Sequence, residues 1–251
     1  MYASNSSAKL PNLSFFADSS SRDHTYMGLG GFAVSGSRIQ EIQDTVFRMR
    51  DAAGIQSEFS WKKYRGGNRR QAYFDLVDYG FELIRKNHAH LHIKFVNFSS
   101  FEHRSGGRVV KRSHRPDRDT SINKIYYQMA LHRLARYYGK RSAIHLRLDS
   151  GADSEDIIQM REEICAAAYK RYQALPNCIR SIEPMCSTKS GIIQLADVIV
   201  GGASAHRNMR ELNNTKSELR DYILSGSGRP SWATDTPMSA RRFTVWNHKP
   251  R

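Results

Sequence analysis

The sequence predicts an α/β protein with a mixed central sheet of about five strands and helices on both faces. Apolar runs of strand length alternate with helical patterns over residues 91–206, which is typical of parallel strands joined by helices. The first two strands are instead separated by a short polar segment, 19–24, which favours an antiparallel hairpin. A sheet that contains both kinds of connection is mixed.

The length and composition of the chain favour a single large domain. There are 251 residues, of which 39% are hydrophobic, enough for one sizeable core. Residues 1–12 are rich in Ser and Asn and are interpreted as a flexible tail. Residues 13–210 are interpreted as the main domain, and residues 211–251 as a C-terminal helix and extension that packs on or trails it.

Hydrophobic spacing assigns the elements in the first half of the chain. An aromatic run predicts a strand over 13–18, and a glycine-containing run predicts a second over 27–35. Helical spacing predicts a helix over 38–53, with Ser37 as its N-cap and Gly54 at its end. A second helix is predicted over 72–86 and an alternating strand over 91–98. The arginine-rich segment 99–120 is interpreted as a long functional loop, with a disordered insert as the alternative.

The same periodicities assign the second half. They predict a helix over 122–138, a strand over 143–149, and a helix that begins at Asp153 or Ser154 and runs to about residue 174. The core side of the first of these helices is formed by Ile122, Ile125, Tyr126, Met129 and Leu134. A strand over 178–183, a strongly apolar helix over 192–206, a short helix over 217–224 and an edge strand over 243–246 complete the prediction.

The charge of the chain favours a polyanionic partner. There are 39 Lys and Arg against 24 Asp and Glu, a formal net charge of +15. Nucleic acid is the first candidate, and a generally solvated basic surface is the alternative. The candidate nucleic-acid-binding residues are Lys62, Lys63, Arg65, Arg69, Arg70, Arg104, Arg108, Lys111, Arg112, Arg115 and Lys189.

Cysteine usage and hydropathy favour a cytoplasmic protein without a membrane partner. The three cysteines have no zinc-site spacing, and their odd number fits a reducing compartment. The first twelve residues lack the apolar stretch of a signal peptide. The longest apolar run, 192–205, is interrupted by Asp197 and is shorter than a membrane span.

Four carboxylates occupy positions that favour a shared site. Asp18 and Asp149 each end a predicted strand, and Asp197 lies inside the most apolar helix, where an unpaired charge would be costly. Glu58 precedes a cluster of cations. Asp197 also belongs to a polar, small-residue stripe that would face a crevice, and its other members are Gln194, Gly201 and Ser204. The alternatives are an Asx-turn at Asp18 and a structural ion pair at Asp197.

Several carboxylates at one rim would repel one another, and divalent cations relieve such repulsion. Oxygen ligands suit Mg²⁺ or Mn²⁺. Two such ions, about 3.5–4 Å apart, can activate a water for phosphodiester cleavage. Together with the basic charge, this chemistry predicts a metal-dependent nuclease that acts on DNA or RNA and uses Mg²⁺ or Mn²⁺, with two ions expected.

Four segments of the chain together resemble the domain-of-unknown-function family 3800, whose members resemble the ribonuclease H-like, retroviral-integrase-type nucleases. The resemblance covers most of residues 13–207 and is carried by FADSS, SEFSWKK, HLRLDSG and SIEPMCSTKSGIIQLADVIVGG. The last segment, with its QLAD core, is the most specific of the four.

The resemblance implies a ribonuclease H-like catalytic domain over residues 13–210. It also implies that the catalytic metal ligands are Asp18, Glu58, Asp149 and Asp197, with Glu58 acting as a ligand or as a base that orients water. The sequence departs from the family pattern of Asp-Glu-Ser-Gly after the first strand, because Ser19 replaces the Glu and Ser21 replaces the Gly.

The missing acid keeps a second hypothesis open, a non-catalytic nucleic-acid-binding module of the same fold with an incomplete metal site. A third hypothesis, a phosphatase or phosphotransferase with Asp18 as nucleophile, is disfavoured because Ser20 stands where a second Asp is usual. His88, His90 and His92 are interpreted as partly exposed sheet positions in preference to a metal site. Trp61 is assigned to the core in preference to base stacking.

Overall fold

A computed structural model describes residues 10–99, 104–105, 108–109, 115–150 and 160–248. The strands are β1 Asn12–Ser20, β2 Tyr26–Ser35, β3 Ala89–Asn97, β4 Arg104–Ser105, β5 Arg108–Val109, β6 Ala143–Asp149, β7 Ile179–Met185 and β8 Phe243–His248. The helices are α1 Ile39–Ala52, α2 Arg70–Arg85, α3 Arg115–Met129, α4 Arg136–Tyr138, α5 Arg161–Tyr172, α6 Gly191–Arg207 and α7 Asn214–Gly226. A π-helical segment, Ala130–Ala135, joins α3 to α4.

The main sheet is mixed. Its order in the described part of the chain is β7-β6-β1-β2-β3-β8. The pairs β1/β2 and β2/β3 are antiparallel, whereas β1/β6, β6/β7 and β3/β8 are parallel. The predicted mixed α/β class and the N-terminal hairpin are therefore confirmed, with six strands in the sheet.

Each face of the sheet carries its own hydrophobic core. Helices α1, α2, α6 and α7 pack on one face, around residues such as Phe16, Phe32 and Phe95. The α3–α4 region and α5 pack on the other face, around Phe15 and Leu146. Neighbouring residues of a strand point to opposite faces, which is why Phe15 and Phe16 belong to different cores. The prediction of helices on both faces is confirmed.

Most predicted elements are present with small shifts at their ends, but two predictions are wrong. Ser37 does not cap α1, since it lies inside a 3₁₀ turn, Gly36–Arg38, and its hydroxyl group pairs with that of Ser35 at 3.2 Å. The helix predicted from residue 122 begins at Arg115, so the C-terminal end of the predicted basic loop is helical. The predicted helix start at Asp153 or Ser154 lies outside the described residues.

The three histidines do not share a strand face. His88 precedes β3, whereas His90 and His92 lie on it. Both hydrogen-bond the hydroxyl group of Tyr138 at 2.7 Å, and His92 also pairs with Thr244 Oγ1 at 2.7 Å. His92 is fully buried, so the prediction of a partly exposed position is wrong for it. Its role here is in a buried hydrogen-bond network between the sheet and α4.

Cys165, Cys178 and Cys186, all within the described residues, are free thiols. No helix in the described ranges is both long enough and apolar enough to cross a membrane.

Candidate metal and nucleic-acid site

Asp18 and Asp149 come from neighbouring parallel strands. The register of β1 and β6 pairs Ala17 with Leu148, so its next step sets Asp18 beside Asp149. Adjacent strands lie about 4.8 Å apart. Because Ala17 and Leu148 point into the core around α3 and α5, the two carboxylates point to the opposite face of the sheet. Sheet geometry alone therefore brings these two acids together on the face that α6 covers.

Asp197 reaches the same place from α6, which packs on β1 and β2. Its carboxylate accepts hydrogen bonds from the Ser60 side chain and the Trp61 backbone. The other residues of the polar stripe predicted on this helix, Gln194, Gly201 and Ser204, are buried by packing. A Cβ atom at Gly201 would meet Trp61 at 2.4 Å, so the indole lies directly on the helix backbone. The crevice predicted along the whole stripe is therefore open only at Asp197.

Glu58 is held by partners on both sides of the site. Lys63 Nζ donates to Glu58 Oε1 at 2.8 Å, and Ser187 Oγ donates to Oε2 at 2.6 Å. Gln194 of α6 is fully buried and fastens this segment to the helix. It accepts from the Phe59 backbone N–H at 3.0 Å and donates to the Ser187 carbonyl oxygen at 2.9 Å.

These side chains line one open cavity of about 570 Å³ at the carboxyl ends of β1 and β6. We call it the carboxylate cavity. Its lining residues are Asp18, Ser19, Ser20, Ser21, Arg22, Asp23, His24, Glu58, Ser60, Trp61, Lys62, Lys63, Asp149, Ser187, Asp197, Arg210 and Lys216. All four predicted site carboxylates belong to it, although they come from four distant segments of the chain.

Three of the four acids in the carboxylate cavity have pKa values above their usual values. Burial, followed by the charges of Asp197 and Asp149, raises the pKa of Asp18 well above its usual value. Burial and the charge of Glu58 raise the pKa of Asp149. Burial and the same charge raise the pKa of Asp197 to about 6. Partial burial of Glu58 acts in the same direction, but its hydrogen bonds from Lys63 and Ser187 outweigh it and lower its pKa.

We expect Asp197→Asn to stabilise the metal-free protein at pH 8 by about 2–3 kcal/mol, from a pKa raised by about two units at 1.36 kcal/mol each. A group whose pKa is higher in the folded state stabilises the fold fully below its unfolded pKa, and this contribution is lost as pH rises through about 6. The advantage of the variant should therefore vanish towards pH 4. Urea unfolding in EDTA at several pH values measures this difference in the free energy of unfolding between the variant and the wild type.

The comparison must be made between the variant and the wild type at each pH. Burial lowers the pKa of His92 to about 3 and that of His132 to about 4, so these groups destabilise the fold as pH falls below their unfolded value. Their contribution opposes that of Asp197 but is common to both proteins. A stability difference that does not change between pH 4 and pH 8 would contradict the assignment of strain to Asp197.

The predicted nucleic-acid-binding residues are only partly gathered here. Lys62 and Lys63 line the carboxylate cavity, and Lys63 also lines an adjoining cavity of about 270 Å³ together with Arg65 and Arg69. Arg70 is instead paired with Glu218, and Lys189 is exposed and lines neither cavity. Lys111 and Arg112, and the side chains of Arg104, Arg108 and Arg115, lie outside the described residues.

Several cavity residues were missed by the sequence prediction. Arg22 and Asp23 follow β1, and Arg210 and Lys216 come from the segment after α6. Partial burial and the charges of Arg65 and Arg210 lower the pKa of Lys216. Nothing in the local sequence distinguishes Arg210 and Lys216 from other surface cations. Only the packing of α7 against α6 brings them to the cavity.

Ser19 and Ser21, the two residues that depart from the pattern Asp-Glu-Ser-Gly, each have a distinct local structure. Ser19 accepts hydrogen bonds from Arg22 at 2.9 and 2.7 Å, so an Arg–hydroxyl contact occupies the position of the second acid. Ser21 has a φ of 61°, the left-handed conformation that glycine adopts most easily. Ser21 thus adopts a backbone conformation to which a glycine at this position, as in the pattern Asp-Glu-Ser-Gly, would be suited.

The donor chemistry of the cavity fits a hard divalent cation, because all of its acidic donors are oxygens. Burial and, after it, repulsion between the acids raise three carboxylate pKa values, and a bound cation relieves the repulsion. Within the described residues, however, no three His, Cys, Asp or Glu side chains already stand together as a group that could hold a metal ion. Glu58 in particular is engaged with Lys63 and Ser187.

Comparison with known proteins gives little. No protein-family model matches the chain, and no curated protein matches it. Among solved structures, a chain of the complex of PCNA and RNase HII from Archaeoglobus fulgidus is similar, with a TM-score of 0.43 and 12% identity. The match covers 85% of this chain and 90% of that chain. A likeness of this size supports no conclusion about activity.

Proposed function

We propose that the protein is a metal-dependent nuclease that hydrolyses phosphodiester bonds of DNA or RNA at the carboxylate cavity. The observation that carries the proposal is the convergence of Asp18 and Asp149, from adjacent parallel strands, beneath Asp197 of α6. The raised carboxylate pKa values make this a place that gains from binding divalent cations. Membership of the domain-of-unknown-function family 3800 is part of the proposal.

In this scheme Asp18, Asp149 and Asp197 would hold Mg²⁺ or Mn²⁺. When bound, the metal supplies an activated water and stabilises the leaving oxygen. Glu58 would leave its contact with Lys63 to act as a further ligand or to orient water, and Ser187 would continue to hold its other oxygen. Lys63, once released, becomes a cation for a substrate phosphate.

The cations around the rim would hold the nucleic acid backbone. Lys62, Lys63, Arg210 and Lys216 line the cavity beside the acids. Lysine and arginine neutralise phosphates without reading the base sequence, which fits a site that positions a strand for cleavage. Arg65 and Arg69, in the adjoining cavity that shares Lys63, extend this path along the protein surface.

The test is incubation of the full chain with end-labelled single- and double-stranded DNA and RNA, with Mg²⁺ or Mn²⁺ and with EDTA. We expect cleavage of at least one substrate with a divalent cation and none in EDTA. Metal binding is measured separately by calorimetry. No cleavage and no calorimetric binding of Mn²⁺, together with retained binding of nucleic acid, would support the non-catalytic module that Ser19 keeps open.

A further inference from the structure

A further cavity, of about 520 Å³, is lined almost entirely by cations and tyrosines. Its lining residues are Arg136, Tyr137, Lys140, Arg141, Lys170, Arg171, Tyr172, Gln173 and Arg241. We call it the basic cavity. The six Lys and Arg side chains are exposed and the two tyrosines are half-buried. No acidic residue lines it, and within the described ranges none of the six cations forms an ion pair.

The basic cavity lies at the amino ends of β6, β7 and β8, whereas the carboxylate cavity lies at the carboxyl ends of β1 and β6. The basic cavity is formed where α4 and α5 end, just before β6 and β7 begin, and where the chain enters β8. The strand β6 separates the two cavities, since Arg141 precedes it and Asp149 ends it. Its seven residues span about 20 Å at about 3.3 Å each. The two cavities are therefore distinct sites.

The walls of the basic cavity are held in place by specific contacts. The Leu175 backbone N–H donates to the Gly139 carbonyl oxygen at 2.8 Å and ties the two helix ends together. Tyr172 is fixed by a 2.6 Å hydrogen bond to His132. Arg136 lies over the Tyr172 ring at 5.6 Å, and Arg241 lies over the Tyr137 ring at 5.8 Å. The rings thus act as platforms that orient the guanidinium groups.

Helix ends alone do not account for this concentration of charge. Cations in the last turn of a helix are favoured by the helix dipole, which explains Lys170 and Arg171 at the end of α5. Arg141 follows α4 by several residues, and Arg241 comes from the segment before β8. Six cations without acidic partners repel one another. A bound polyanion removes that cost, whereas solvent only screens it.

We propose that the basic cavity binds consecutive phosphates of a single-stranded nucleic acid backbone. Its six cations come from three separate chain segments and line one open cavity of about 520 Å³, which suits more than one phosphate. This second site does not depend on the cleavage proposed above. It would hold a single-stranded nucleic acid at the amino ends of β6 and β7, remote from the carboxylates.

The test is anisotropy titration of a labelled single strand of about 20 nucleotides with the full chain in EDTA, across a salt series. The site variant carries Arg136→Gln, Lys140→Gln and Arg171→Gln. The control carries Arg48→Gln, Arg85→Gln and Lys86→Gln. These exposed residues lie on α1, at the end of α2 and directly after α2, on the other face of the sheet. Both variants lose the same net charge, and urea unfolding checks that both are folded.

We expect the site variant to bind about tenfold or more weakly, and its salt slope to fall by about 2, since each phosphate contact on a single strand contributes about 0.7. The affinity and the salt slope of the control variant should change much less. Equal losses in the two variants would overturn the proposal, because net charge alone would then explain binding. A parallel titration uses inorganic tripolyphosphate. If the site substitutions weaken only tripolyphosphate binding, the cavity takes small phosphates and the proposal is likewise overturned.

Discussion

Asp18→Asn and Asp197→Asn are each expected to reduce metal-dependent cleavage by more than about 100-fold. Loss of a group that merely orients a metal ligand already costs about 10- to 100-fold, and these residues are assigned as ligands themselves. Asparagine keeps the shape of the side chain but removes the charge that a divalent cation requires. The measurement is the initial rate of cleavage at saturating Mn²⁺, with calorimetry of Mn²⁺ binding to each variant.

The matched control for this experiment is Asp44→Asn. Asp44 is exposed on α1, where it accepts a hydrogen bond from Gln40, and lies outside the carboxylate cavity. Since Asp197→Asn is expected to stabilise the metal-free protein, a loss of cleavage in that variant cannot be explained by unfolding. Wild-type rates in both variants would remove the carboxylate cavity from the mechanism.

Gly31→Ala is expected to destabilise the fold by more than about 4 kcal/mol, the range of exceptional single substitutions. A Cβ atom at this position would lie 1.9 Å from the Phe16 carbonyl oxygen and 2.7 Å from Ala17 Cα. Both are backbone atoms of β1, so no side chain can move aside and the strands must separate. Gly31 pairs with Ala17, the residue before Asp18, and the site would be displaced with the strand.

Gly36→Ala is the control, because it follows the same strand and its added Cβ atom would come no closer than 3.3 Å, to Asn12 Cβ. We expect it to stay within about 1 kcal/mol of the wild type. Urea unfolding measures both variants, and soluble yield replaces it if Gly31→Ala does not accumulate. A Gly31→Ala protein as stable as the control would show that β1 and β2 can separate here at little cost.

The sequence predicted the elements that carry the carboxylates because their patterns are strong and local. The alternating run AIHLRLD forms a strand that ends at Asp149, as predicted, and the apolar helix around Asp197 extends the prediction by one residue at each end. Helix ends were harder to predict. Ser37 has the right side chain for a cap, but a 3₁₀ turn occupies the position.

What depends on distant contacts could not be read from local patterns. The sequence indicates that Gln194 shares a helix face with Asp197, but not that it fastens the segment of Glu58. Nor does it indicate that Arg241 joins Arg136 and Arg171 around the basic cavity, since these residues are far apart in the chain. Such sites form only through tertiary packing.

The order in which the site residues occur along the chain has a consequence during synthesis. Asp18 leaves the ribosome early, Lys62 and Lys63 follow, and Asp197 comes only in the last quarter of the chain. Contacts between such distant residues form late, because the intervening segments must first be available to pack. The carboxylate cavity can therefore be complete only after the last quarter of the chain has been synthesised.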